Sequence, residues 1–173
     1  PSLRGDAVHM LAPFADRHEV MRELRELATD GSDPAVNVRR EALAVCVERG
    51  TPVDAALCVD LLEFERDPRL ARLATQGLIY MAPRGLGDRV VPALEQRIAQ
   101  AGNEADLPLL LFGLVRFAPQ RAAPELRRAL DRIRDPVRRD LLTTTIALLE
   151  SGSDDGMTIV LQERRWLEVL FGD

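Results

Sequence analysis

The sequence contains no lysine, and all 23 of its basic residues are arginine. This bias is typical of the codon usage of a GC-rich, bacterial-like genome, and it need not reflect 23 separate requirements for a guanidinium group. The acidic residues number 28, so the net charge is −5. An acidic total disfavours nonspecific binding to nucleic acid, because such binding needs basic side chains to neutralise phosphates.

Long apolar runs are also missing. No run reaches the roughly 18 residues of a membrane-spanning helix. The first residues lack the apolar core and the small-residue cleavage site of a secretory signal peptide. We therefore expect no membrane association and a location in the cytoplasm.

Residues that commonly carry catalysis or hold metals are few and poorly placed. None of the four serines lies in a Gly-x-Ser-x-Gly motif. His9 and His18 are nine residues apart, so they do not share a helix face as a metal-binding His pair would. Cys46 and Cys58 each lie in an apolar stretch, where a buried free thiol is the usual state. We expect no cofactor and no metal site, and we favour a protein that is not an enzyme.

The spacing of apolar residues is helical almost throughout, and no segment alternates with a period of two. Short stretches rich in Gly, Pro, Asp and Ser interrupt this pattern at regular distances. The fold class predicted is all-α, with about nine to ten helices. Their predicted bounds are 3–13, 17–29, 34–49, 52–65, 68–82, 88–101, 106–118, 122–134, 136–150 and 156–171.

An Asp followed by Pro recurs at the start of several predicted helices. Asp-Pro begins at residues 33, 67 and 135, and Asp-Leu-Pro begins at residue 106, so the steps are 34, 39 and 29 residues. An Asp side chain can accept hydrogen bonds from the first free backbone N–H groups of a helix, and Pro needs no hydrogen bond at the first helical position. The repeating unit is therefore a helix, a tight turn and a second helix, which must stack on neighbouring units to bury its apolar face.

These units resemble HEAT repeats. APELRRALDRIRDPVRRDLLTTTIALLESG, at 123–152, has the Pro-Glu-Leu start, the Asp-Pro-Val-Arg turn and the apolar second helix of that family. DPRLARLATQGLIYM, at 67–81, is similar to a second helix, with Arg72 near the family's inter-repeat arginine. The resemblance implies a right-handed α-solenoid of antiparallel helix pairs forming one domain over 1–173. Segment 3–16 would be an N-terminal cap, 17–150 about four helix pairs, and 156–171 a C-terminal cap. A non-repeating helical bundle that uses the same caps is the alternative.

Two features are candidates for binding a partner. Arginines in the first turns of the second helices could form a ladder along one face, or could pair with Asp and Glu between repeats. They are Arg39, Arg40, Arg69, Arg72, Arg138 and Arg139. The helix at 106–118 is apolar on all sides, so it is either buried or presents an apolar patch that includes Leu109, Phe112 and Phe117. The candidate partner-binding residues are Arg69, Arg72, Gln76, Tyr80, Leu109, Phe112, Arg116, Phe117, Arg138 and Arg139.

The function predicted from these features is a non-enzymatic module that binds a protein on the concave face of the solenoid, as an adaptor, scaffold or inhibitor. The alternative is a HEAT-like nucleic-acid-binding protein, or an enzyme that excises DNA bases and holds the nucleic acid in an arginine-lined groove. The C-terminal helix with Trp166, the only tryptophan, could also form a homodimer contact. The chain could further be a fragment of a longer solenoid.

Overall fold

A computed structural model of the chain describes residues 3–30, 35–49, 51, 54–81, 87–101, 106–152 and 156–171, and the side chains within these ranges except those of 3–5 and 156–161. This part of the chain is all-α and contains no strand, as predicted. A single 3₁₀ turn, Ala12–Phe14, follows the first helix. The α-helices are α1 (Leu3–Leu11), α2 (His18–Thr29), α3 (Val36–Arg49), α4 (Asp54–Phe64), α5 (Pro68–Met81), α6 (Gly87–Gln100), α7 (Leu107–Phe117), α8 (Pro119–Leu130), α9 (Pro136–Ser151) and α10 (Gly156–Phe171).

Helix α8 is the one whose predicted bounds, 122–134, were wrong by more than two residues. The helix begins at Pro119, which lies in its first turn. The sequence pattern had placed Pro124 in that turn. Pro124 therefore lies inside the helix, exposed to solvent. The helix ends early because the chain tightens into a turn, in which the N–H groups of Arg132 and Ile133 both donate to Ala129 O, at 2.9 and 3.0 Å.

The Asp-Pro pairs start helices as predicted where the structure describes them. Asp135 Oδ1 accepts from Arg138 N at 2.8 Å, and Asp67 Oδ1 accepts from Arg69 N at 2.8 Å. Asp106 precedes α7, but its side chain makes no capping hydrogen bond, so the prediction of a side-chain cap was wrong there. The pair at 33–34 lies outside the described residues.

The chain divides into two compact units, Pro1–Arg89 and Val90–Asp173. In the first unit, α2 packs on α3 and α4 packs on α5. In addition, α2 contacts α4, α3 contacts α5, and α1 covers α3. Helices therefore pack in neighbouring pairs, and each helix of one pair contacts its counterpart in the next.

In the second unit, α8 packs against both α7 and α9, and α10 contacts α7 and α9. Helix α6 buries an apolar face that includes Leu94, whose side chain lies against Gly113 of α7. Helix α7 is buried along most of its length, from Leu107 to Leu114.

Gly77 allows α5 to lie close to both α3 and α4. A Cβ atom added to Gly77 of α5 would lie 2.7 Å from Val47 Cγ2 of α3 and 2.9 Å from Cys58 Sγ of α4. Separations this short are well inside van der Waals contact, and the branched Val47 side chain has little freedom to move. The position of α5 on α3 and α4 therefore requires glycine here.

We expect Gly77→Ala to lower the free energy of unfolding by about 1–2 kcal/mol. Overpacking costs about 1–3 kcal/mol, and the better helix propensity of alanine offsets up to about 1 kcal/mol of it. The matched control is Gly113→Ala, because the nearest atoms to the added Cβ there would be the methyl tips of Leu94, at 3.2 Å. Urea unfolding followed by circular dichroism measures both variants. A Gly77→Ala variant no less stable than Gly113→Ala would contradict this account of the packing.

Candidate functional site

One exposed line of side chains follows helix α5. Arg69, Arg72, Gln76 and Tyr80 are spaced at i, i+3, i+7 and i+11, which places them on one face of the helix. Both arginines are exposed, Gln76 is half-buried and Tyr80 is 57% exposed. We call these four residues the α5 stripe. They were among the candidates chosen from the sequence, and the structure brings them together on one surface of the first unit.

The opposite face of α5 is buried and carries no charge. The buried residues of α5 are Leu70, Ala71, Ala74, Thr75, Gly77, Leu78 and Ile79. Thr75, the polar member of this set, donates its hydroxyl to Ala71 O within the same helix at 2.8 Å. Because α5 contains no Asp or Glu, Arg69 and Arg72 are its only charged residues, and its exposed face is positive on a chain whose net charge is −5.

A buried ion pair fixes the turn that leads into α5. Arg39 of α3 is only 7% exposed, and its guanidinium donates to the Glu65 carboxylate and, from Nε, to Ala28 O at 3.4 Å. Glu65 Oε1 also accepts from the backbone N–H groups of Arg66 and Asp67, both at 2.8 Å. Arg39 therefore joins the end of α2 and the α4–α5 turn to α3. It is a buried structural residue and does not belong to an exposed arginine ladder.

A second buried carboxylate links α2 to α4. Arg25 of α2 donates to Asp54 from Nε at 2.5 Å and from Nη2 at 3.1 Å. Asp54 Oδ2 also accepts from the backbone N–H of Thr51 at 2.7 Å, as in the capping box at a helix start. The spacing Thr-x-x-Asp at 51–54 is the sequence signal that could have revealed this cap. The pair joins the first helices of two neighbouring helix pairs.

Both carboxylates have lowered pKa values. Burial acts to raise the pKa of Asp54, but the hydrogen bonds and charge of Arg25, with the bonds from Thr51, outweigh it and bring the pKa below 3.8. Burial likewise acts to raise the pKa of Glu65, and the backbone N–H of Asp67 and the guanidinium of Arg39 bring it below 4.5. Each group is thus held as an anion by neighbours that complete its hydrogen bonds.

We expect the first unit to lose stability in acid. A carboxylate with a lower pKa when folded stabilises the fold fully above its unfolded pKa, and this contribution disappears as the pH falls through the folded value. The loss should therefore begin near pH 4 and continue below it. The test is the free energy of unfolding of the parent chain and of the Asp54→Asn, Glu65→Gln double variant, measured from pH 7 to pH 3. At pH 7 the variant should be less stable by about 3 kcal/mol or more, and its stability should depend less on pH. Equal acid sensitivity in both proteins would show that other groups are responsible.

The apolar candidates of the second unit lie in its core. Leu109 is 2% exposed and Phe112 is 1% exposed, so neither can form the predicted surface patch. The reason is that α10 covers this side of α7. The Phe112 and Trp166 rings stack with centroids 5.5 Å apart and an angle of 11° between their planes. For these two residues, burial was the correct alternative.

Trp166 fastens α10 to the second unit. Its side chain is fully buried, and Nε1 donates to Thr145 Oγ1 of α9 at 3.0 Å. The Thr145 hydroxyl in turn donates to Leu141 O at 2.7 Å and accepts from Gln162 of α10. Because its ring is buried within its own chain, the Trp166 side chain itself does not lie on the surface. A homodimer contact through the C-terminal helix stays a prediction.

The remaining candidates of the second unit make contacts within that unit, and their role in binding a partner stays a prediction. Arg116 Nη1 lies 3.7 Å from Glu163 Oε1 of α10. The guanidinium carbon of Arg116 lies 6.0 Å from the centre of the half-buried Phe117 ring. Arg139 donates to the carbonyl oxygens of Leu130 and, at 2.9 Å, Ile133 at the end of α8. Arg138 is half-buried, and its backbone N–H receives the Asp135 cap.

We expect Trp166→Ala to destabilise the second unit by about 3–5 kcal/mol, because it removes a large buried ring and the Phe112 stack. The control, Trp166→Phe, keeps an aromatic ring against Phe112 and loses mainly the bond to Thr145, so a smaller cost is expected. Chemical denaturation followed by circular dichroism measures both. If Trp166→Ala is as stable as the parent chain, the packing of α10 does not depend on the contacts of Trp166 with Phe112 and Thr145.

The two cysteines are not reactive nucleophiles, and the residues that the structure describes form no metal-binding group. Cys46 and Cys58 are free and buried, as predicted, and burial raises the pKa of each thiol to about 12. A thiol in that state is a poor nucleophile at neutral pH. Within the described ranges, no group of three or more His, Cys, Asp or Glu is arranged to hold a metal ion.

Comparison with known proteins gives no assignment: no protein-family model matches the chain, and no curated protein or solved structure matches it. In the described part of the chain, no helix combines the length and apolar character needed to cross a membrane. The α5 stripe is therefore the candidate site on geometric grounds alone.

Proposed function

We propose that this chain is a HEAT-like helical repeat module that binds a protein partner through the α5 stripe, without catalysis, in the cytoplasm. The observation that carries the proposal is the exposed stripe on the second helix of a helix pair. Arginine and tyrosine are the residue types, with tryptophan, that most often contribute strongly to the affinity of protein interfaces. Arg69, Arg72 and Tyr80 supply both types on one helix face.

The packing of the first unit supports the HEAT-like part of the proposal. Its helix pairs, α2 with α3 and α4 with α5, stack so that first helix contacts first helix and second helix contacts second helix. This is the arrangement in which repeated pairs bury their apolar faces on one another. We extend it as a right-handed solenoid of about four pairs over 17–150, in which the second helices would line the concave face.

The environment of the buried carboxylates supports a role without catalysis. Asp54 and Glu65 are each neutralised by an arginine and held by backbone N–H groups at the start of a helix or turn. A general acid or base needs a pKa near the working pH, and both of these pKa values lie below the ordinary range of a carboxyl group.

Capture of partners from host lysate, with and without nuclease, tests this function. We expect the chain to retain a protein after nuclease treatment, and Arg69→Glu, Arg72→Glu to reduce the recovered amount at least about tenfold. The matched control is Arg127→Glu, Arg128→Glu, which reverses two exposed arginines on α8 in the second unit. Recovery that disappears with nuclease would favour the nucleic-acid alternative, and equal loss in both variants would overturn the α5 stripe as the site.

A further inference from the structure

We infer that a second copy of this chain binds on the exposed side of α1, with the two α1 helices antiparallel and related by a two-fold axis. The surface is formed by Asp6, Met10, Phe14 and Arg17, and we call these four residues the α1 face. None of them belongs to the α5 stripe, so the inference does not depend on the proposed function. It rests on two exposed apolar side chains and on the order of the charges that flank them.

Two large apolar side chains are exposed close together on α1 and the 3₁₀ turn that follows it. Met10 is 74% exposed, and Phe14, four residues later, is 45% exposed. The other large apolar side chains that the structure describes as exposed lie singly on α4, α5 and α9, and they are Phe64, Tyr80 and Val137. Single exposed apolar residues are ordinary, whereas a group of neighbouring ones is typical of a surface that binds another molecule.

The opposite side of α1 is already covered within the first unit. Val8 and Ala15 are buried, Leu11 is half-buried, and α1 packs on α3. The segment is therefore apolar on two sides, of which one contacts α3 and the other is exposed. A terminal cap in a stack of helices usually has a polar outer side, and a helix that is apolar all round is usually buried. The composition of α1 thus favours a second contact on its exposed side.

Opposite charges lie at the two ends of the α1 face. Asp6 is in the first turn of α1, and the guanidinium carbon of Arg17 lies 5.1 Å from the centre of the Phe14 ring. Both charged side chains are exposed, and neither forms an ion pair within the part of the chain that the structure describes. The order along the chain is therefore an acid, two apolar residues and a base, with spacings of four, four and three residues.

This order is complementary to itself when it is reversed. If two copies meet antiparallel about a two-fold axis, Asp6 of one copy faces Arg17 of the partner subunit, and Met10 faces Phe14 of the partner subunit. A two-fold interface contains each contact twice, so the charge pair and the apolar pair would both be repeated. A parallel arrangement would bring like charges together. Charge complementarity therefore points to a second copy in the antiparallel orientation.

The size of the α1 face limits the strength of this contact. Interfaces of standard size bury roughly 800 Å² on each partner, and one side of a short helix provides less than that. We therefore expect a reversible dimer with a dissociation constant in the micromolar range or weaker.

Sedimentation equilibrium of the intact chain, from micromolar to millimolar concentration, tests the inference. We expect a monomer–dimer equilibrium that Met10→Glu weakens at least about tenfold, because a carboxylate would lose its water against an apolar ring. The matched control is Phe64→Glu, which changes a side chain on α4 that is 73% exposed, and it should dimerise as the parent chain does. Circular dichroism checks that both variants are folded.

Two charge variants test the antiparallel orientation. Asp6→Arg and Arg17→Asp should each dimerise more weakly than the parent chain, because like charges would meet at both ends of the interface. An equal mixture of the two variants should associate more strongly than either one alone, because each then supplies the charge that the other lacks. Sedimentation velocity with one variant labelled detects the mixed dimer.

The inference is overturned if the chain stays monomeric up to millimolar concentration, or if Met10→Glu dimerises as well as Phe64→Glu. It is also overturned if the mixed charge variants associate no better than each one alone. A monomeric chain whose capture of a lysate protein depends on Met10 would assign the α1 face to a different partner and overturn the inference. None of these results bears on the α5 stripe, which is tested by changes at Arg69 and Arg72.

Discussion

Arginine side chains that donate to carbonyl oxygens at helix ends tie elements of each unit together. The last carbonyl groups of an α-helix have no hydrogen-bond donor within the helix, and they are costly to bury unless another group donates to them. Arg39 donates to Ala28 O in the last turn of α2, and Arg139 donates to Leu130 O at the end of α8. Arg132 donates to Ala101 O, directly after the end of α6. Each of these arginines comes from a later part of the chain, so the bond also connects one helix end to a later element.

Arg39 shows how such a bond affects the candidate site without touching it. Its guanidinium is buried among Ala28 O and the Glu65 carboxylate, and Glu65 in turn holds the N–H groups that precede α5. A buried ion pair gives little net stability, since desolvation opposes the attraction, but breaking one partner leaves a buried charge uncompensated. The pair therefore fixes where α5 starts, and the direction of the α5 stripe follows from it. Gly77 fixes the depth at which α5 packs on α3 and α4.

The helices could be predicted from the sequence because their signals are local. Apolar spacing and Asp-Pro caps depend on residues within one or two turns, and the predicted bounds agree with the structure except at α8, where two prolines competed for one helix start. Burial depends on distant residues. Helix α7 is apolar on all sides, so its own sequence does not show which residues are buried. Phe112 is covered because it stacks on Trp166, which lies 54 positions further along the chain. Arg39 likewise resembled Arg69 and Arg72 in sequence, and its pairing with Glu65 could not be read from spacing. The single domain over 1–173 and the HEAT-like identity stay predictions.

The positive α5 stripe on an acidic chain has a consequence for recognition. Under the proposed function, the two exposed arginines of the stripe would favour binding of a partner at one place and in one orientation on a chain that is otherwise acidic. Complementary charge of this kind contributes more to specificity and to the rate of encounter than to the final affinity. Affinity comes from groups that lose their water on binding, and arginine and tyrosine, the residue types of Arg69, Arg72 and Tyr80, commonly contribute strongly to it. In the proposed function, the stripe would thus present positive charge at one end and an aromatic ring at the other to the same partner.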